Sequence, residues 1–191
     1  MVRVTRKTGS IELVDTAAIP FDTLIAGNRP VILKALVKDW PLTRAGMQGA
    51  DAAIAYLERF YNGRPVTAYT GEAGAGPRFF YDDSATAMNF TSERVGLPDF
   101  LARIVDASDD ADAPARYIGS TDCDLFFPGL RAENDLAIDA ATGEGAAPPL
   151  VSLWLGGRTT AAAHFDVRSA CGVPPCARGP QGWESGAASD V

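Results

Sequence analysis

His164-Phe165-Asp166 is the stretch of this sequence whose residue types and spacing are best suited to chemistry. In an extended chain successive side chains alternate between faces, so His164 and Asp166 share one face while Phe165 and Val167 take the other. An imidazole beside a carboxylate supplies two of the three ligands of the two-histidine, one-carboxylate triad, which leaves coordination positions open on a non-haem Fe(II). The same pair also serves as a core histidine hydrogen-bonded to its acidic neighbour, and the His-x-Asp spacing alone does not separate the two uses. The setting of the pair is more selective. His164 is the only histidine in the chain, and it stands in an apolar surround rather than on a charged surface.

Positioning such a pair requires a strand, and the preceding residues supply one. Val151 to Leu155 is β-branched and aromatic, and Gly156-Gly157 breaks it, which predicts a strand, a turn and a second strand running to Val167. Further strands are expected at Ile11–Val14, Pro30–Val37 (closed by Pro41), Pro65–Thr70, Arg78–Tyr81 and Ala115–Ser120. Apolar residues at helical spacing predict helices around Asp22–Ala26, over Asp51–Tyr61 and over Pro98–Ala107. Phe126 to Leu130 reads as an apolar turn, and the stretch from Glu144 to Pro149 as a connector. The strands around Val31, Tyr117, Leu153 and Phe165 are expected to share one sheet.

Several other features carry no chemistry. The glycine-rich loop Gly71–Pro77 lacks the Gly-Lys-Ser/Thr ending of a phosphate loop. The acidic turn Asp109–Pro114 lacks the distal bidentate glutamate of a calcium loop. Cys171 and Cys176 have no second pair with which to form a zinc site.

Composition narrows the function classes. At 191 residues and 47% hydrophobic, the chain suits one domain with a real core. The excess of acidic over basic side chains, 24 against 17, gives a net charge of -7, which argues against general binding of a nucleic-acid backbone. No apolar run approaches a membrane span and the N-terminus has no signal-peptide pattern, so a cytoplasmic protein is expected. Its 3 cysteines then read as reduced thiols.

Taken together, Arg29-Pro30-Val31-Ile32-Leu33 with Asp39-Trp40-Pro41, Arg78-Phe79-Phe80-Tyr81-Asp82, Tyr117-Ile118-Gly119-Ser120, and Leu153-Trp154-Leu155-Gly156-Gly157-Arg158-Thr159-Thr160 ending in His164-Phe165-Asp166 resemble the cupin-like JmjC family. The resemblance is collinear over about residues 10 to 167. It implies a mostly β fold with N-terminal helices, an α+β chain built on an incomplete double-stranded β-helix, or jelly roll. It also implies an oxygenase that uses Fe(II) and 2-oxoglutarate to hydroxylate a protein side chain or a tRNA base. By that resemblance His164 and Asp166 match the first two metal ligands. Tyr117 matches a residue that hydrogen-bonds a 2-oxoglutarate carboxylate. Thr160 is a second candidate for the cosubstrate, although relatives commonly place the threonine three residues before the histidine, where this chain has Ala161.

The segment 168–191 departs from the family. It has no hydrophobic period, and neither a Phe/Pro-Pro strand nor the second histidine appears in it. The domain limits expected are a flexible 1–10, a partial cupin-like domain over 11–167, and a disordered or out-of-frame tail. With its third ligand absent, the chain is expected to be an inactive oxygenase or, alternatively, a non-catalytic cupin-like binding module. The interrupted fold should also leave strand edges prone to self-association.

Overall fold

The computed structural model describes residues 9–12, 19–27, 29–82, 84–136, 150–157 and 159–161. Four strands carry its main sheet. They are β3 (Val66–Gly71), β5 (Phe90–Val95), β6 (Arg116–Asp122) and β7 (Ser152–Gly157), antiparallel in the order β5-β3-β6-β7. Two short parallel pairs stand apart from it, β1 (Gly9–Glu12) with β2 (Val31–Lys34), and β4 (Arg78–Phe79) with β8 (Thr160–Ala161). The helices are α1 (Phe21–Gly27), α2 (Pro41–Gln48), α3 (Ala50–Glu58), α4 (Leu97–Asp106) and the single turns α5 (Cys123–Phe126) and α6 (Leu130–Glu133). The chain is therefore a β-rich α+β fold. No helix among the described residues is long and apolar enough to cross a membrane.

Strand alternation decides which side of the sheet is packed. Val66 and Ala68 of β3 and Ile118 of β6 are buried and join Tyr56 and Leu57 of α3 with Leu97, Phe100 and Leu101 of α4 in one core. Helix α4 forms because Pro98 sits in its first turn and its apolar residues recur on one face. Gly157 lets that helix approach β7. A Cβ there would lie 3.0 Å from Cγ2 of Ile104.

Helices α2, α3 and α6 are tied to each other by a small polar network. The Tyr56 hydroxyl donates to Glu133 Oε2 at 2.8 Å, while Asn134 Nδ2 donates to the Tyr56 oxygen at 2.9 Å and to the Leu130 carbonyl at 3.0 Å. Asn134 Oδ1 in turn accepts the Leu42 N–H, an orphan donor in the first turn of α2. Asn134 is buried, so its removal strands three partners at once. Asn134→Ala should cost about 2–3 kcal/mol, from lost hydrogen bonds plus unsatisfied buried groups, read as a fall in the urea midpoint at constant slope. A change under about 0.5 kcal/mol would contradict this clasp.

Several elements differ from expectation, each for a physical reason. Pro41, expected only to end a strand, occupies the first turn of α2, where its missing N–H is not needed. The strand expected over 30–37 is limited to Val31–Lys34, because Ala35 adopts a left-handed φ of 63° and starts a turn. Gly156 and Gly157 lie inside β7 rather than at a turn, and the chain runs from there to β8, which pairs with β4 and not with β7. Val31 does not share the sheet of Tyr117 and Leu153. Phe165 lies outside the described residues.

Candidate functional site

The helices cover one face of the main sheet, and aromatic side chains stand on the other. Tyr69 and Tyr117 are register partners on β3 and β6, opposite in direction to the core residues Ala68 and Ile118. Their rings stack at 4.8 Å with planes 18° apart. Phe79 of β4 meets Tyr117 edge-on at 4.6 Å, and Phe90 of β5 meets both Phe79 and Tyr69 at 5.5 and 5.6 Å. Trp154 of β7 lies parallel to Tyr117 at 6.1 Å and 4°. Offset stacks and edge-on contacts of this kind hold rings in fixed orientations. Tyr117 is thus a phenol held by aromatic neighbours on both sides.

Glycines clear the space around it. A Cβ on Gly119 would fall 2.6 Å from Tyr117 Cε2, and one on Gly156 would fall 3.0 Å from Tyr117 Cβ and 2.8 Å from Thr159 Oγ1. Burial raises the Tyr117 pKa above that of an ordinary tyrosine, and the neighbouring Tyr69 adds to the effect. Its hydroxyl therefore stays protonated, a hydrogen-bond donor, at neutral pH. Among the described residues that hydroxyl has no hydrogen-bond partner.

The other residues singled out from the sequence fall as follows. Thr160 starts β8 opposite Arg78, its N–H donating to the Pro77 carbonyl at 2.8 Å, and its side chain is exposed. Thr159, not Thr160, borders Gly156 beside Tyr117. His164 and Asp166 lie outside the described residues, and among the described residues no group of three His, Cys, Asp or Glu side chains could hold a metal. Cys123 is buried, and burial pushes its thiol up to about 11, which makes it an unreactive packing residue.

A cavity of about 430 Å³ exists elsewhere, lined by Glu72, Ile104, Asp112, Arg116 and Gly157 among others but not by Tyr117. Its residues come from the end of α4 and the loops beside it, so the cavity and the aromatic face are different places. Residues Tyr69, Phe79 and Trp154 were not singled out as functional from the sequence. Period-two alternation through Val66–Tyr69 and Leu153–Leu155 was the available signal, since it puts Tyr69 and Trp154 opposite the core.

Comparison with protein families adds the deciding observation. A family model described as a cupin-like domain matches residues 17–173, most of the 191-residue chain. The chain belongs to the cupin-like domain family. A comparison with curated proteins finds no match. In this cupin-like chain the match spans every element from α1 to β8, so it includes the aromatic face and both threonines. It ends at 173, past the point at 167 where the sequence changes character.

Proposed function

We propose that this cupin-like chain carries the cosubstrate face of an Fe(II)- and 2-oxoglutarate-dependent hydroxylase of the JmjC type, acting on a protein side chain or a tRNA base. The β5-β3-β6-β7 sheet would be one wall of its jelly roll. The observation that carries the reading is Tyr117. It is a protonated phenol with no partner among the described residues, packed against Tyr69 and Phe79 and closely approached by the backbone at Gly119 and Gly156. A hydroxyl so held suits one end of a dicarboxylate, because a donor fixed before binding loses little entropy on binding.

The metal fits less well. With 1 histidine in the chain, His164 and Asp166 can supply only two of the triad's ligands, and the described residues offer no substitute cluster. No step through iron is therefore assigned to this chain. That ligand count favours a second reading, a cupin-like binding module in which His164 and Asp166 are a hydrogen-bonded pair.

Binding of 2-oxoglutarate, followed by calorimetry without metal, tests the role of Tyr117. Tyr117→Phe keeps the ring and its stacking and removes only the donor. A hydrogen bond to a charged group contributes about 1.5–3 kcal/mol, so the substitution should weaken binding by about 10- to 100-fold. Equal binding by both proteins, or none by the native chain, would remove the support for a cosubstrate face.

A further inference from the structure

The aromatic row Tyr69, Tyr117, Trp154 crosses three adjacent strands and ends at the sheet edge on Trp154, which is 60% exposed. Opposite Trp154 the β6–β7 register slips between Ile118↔Leu155 and Thr121↔Leu153, so Gly119 and Ser120 together oppose this one residue. A bulge of this kind re-aims the facing side chain. Ser120 takes a left-handed φ of 46°, costly for a residue with a Cβ. Gly119 has to be glycine, since a Cβ would meet the indole Cζ3 at 3.0 Å. A bulge, a strained serine and a glycine thus seat an indole whose burial contributes little, because most of it remains in water. Core packing does not explain the arrangement.

A position diagonal to Trp154 in the register is acidic. Past the bulge, Asp122 is in register with Ser152, two residues before Trp154 and on the same face of β7. Asp122 and Trp154 are therefore diagonal positions on one face of the β6–β7 pair. The Asp122 carboxylate is held in place, since Oδ1 accepts the Leu125 N–H at 2.8 Å as the cap of α5.

We infer that Trp154 and Asp122 form a docking spot for a guanidinium or ammonium side chain of a basic polypeptide, with the cation on the exposed indole face and the carboxylate beside it. Indole is the strongest aromatic partner for a cation, and a guanidinium can stack on a ring while donating to a carboxylate. The chain's own arginines already use lesser rings in this way: Arg59 lies 5.1 Å from the Tyr56 centroid and Arg78 lies 4.9 Å from that of Phe80. Among the described residues no cation lies over Trp154. A nucleobase could stack on the same indole, but its phosphates would be brought to Asp122 on a chain of net charge -7. The charge balance selects a basic polypeptide. This inference does not depend on the hydroxylase reading.

The test titrates the full chain by calorimetry at low ionic strength with three probes. They are a capped Gly-Arg-Gly-Arg-Gly peptide, the same peptide with citrulline for arginine, and a single-stranded oligothymidine. The native chain should bind the arginine peptide and prefer it to both others. Trp154→Ala should weaken that binding about five- to tenfold and Trp154→Phe less. Asp122→Asn keeps the helix cap, because asparagine caps as well as aspartate, but should weaken binding and flatten its dependence on salt. Unchanged thermal melts identify these as binding effects rather than unfolding. The inference is overturned if the citrulline peptide or the oligonucleotide binds as well as the arginine peptide, if the native chain binds none of them, or if neither Trp154→Ala nor Asp122→Asn alters affinity.

Discussion

Phe100→Ala is expected to destabilise the protein by about 3–5 kcal/mol, the range for truncating a fully buried phenylalanine that leaves a cavity its neighbours cannot fill. Phe100 is 0% exposed and sits in the core that joins α4 to α3 and to β3 and β6. A domain of this size is stable by about 5–15 kcal/mol, so this one truncation removes a large share. The control lies on the same helix. Arg103 pairs with Glu93 at 2.8 Å and lies over the Phe100 ring, but its side chain is about half exposed, so Arg103→Ala should cost no more than about 1 kcal/mol. Urea unfolding of the two variants at matched slope separates them. A Phe100→Ala loss no larger than that of Arg103→Ala would mean that α4 does not pack on the sheet as described.

How far the fold was legible in the sequence depends on whether pattern or context fixes each element. Helix α4 was legible because Phe100, Leu101, Ile104 and Val105 mark one helical face and Pro98 marks its start. Strands β3 and β6 were legible because Val66, Ala68 and Ile118 alternate with residues that face the other way. Strand β5 was not. Its sequence Phe-Thr-Ser-Glu-Arg-Val is mostly exposed at the sheet edge, and its identity comes from pairing with β3 rather than from any buried period. Helix α2 was hidden because proline both ends strands and begins helices, and the contacts that favour the helix are tertiary, among them the Leu42–Asn134 hydrogen bond 92 residues apart and the packing of Leu42 and Ala45 on the core.

The candidate site divides in the same way. The family resemblance marked Tyr117, but its surround was invisible to spacing, because Phe79 arrives through a parallel pairing of β4 with β8 across a long sequence gap. The offset of Thr160 from the commonly found position was visible in the count from His164. That Thr159 rather than Thr160 borders Tyr117 follows from β7 continuing through Gly156 and Gly157, since two glycines in a row read more naturally as a turn than as strand. Their actual use is close approach, to Ile104 on one face and to Tyr117 on the other.

The 191-residue chain is expected to hold no stoichiometric Fe(II) at micromolar metal and to form no succinate from 2-oxoglutarate above background. With 1 histidine it lacks an imidazole ligand, and the loss of one protein ligand weakens a metal site by several kcal/mol, which leaves water to fill positions the protein should hold. On the proposed hydroxylase reading, a chimaera that continues after Val167 with the strands and second histidine of a two-histidine Fe(II) oxygenase should bind iron and form succinate. In that chimaera His164→Ala should abolish turnover, whereas in the present chain it should alter stability alone. The measurement is succinate production under anaerobic Fe(II) loading followed by admission of oxygen, on both chains with and without His164→Ala. Turnover by the present chain that disappears in His164→Ala would show that two ligands suffice and would sink the inactive reading. A chimaera that binds iron yet forms no succinate would sink the 2-oxoglutarate reading instead, and would leave the aromatic face as a binding surface of a non-catalytic module.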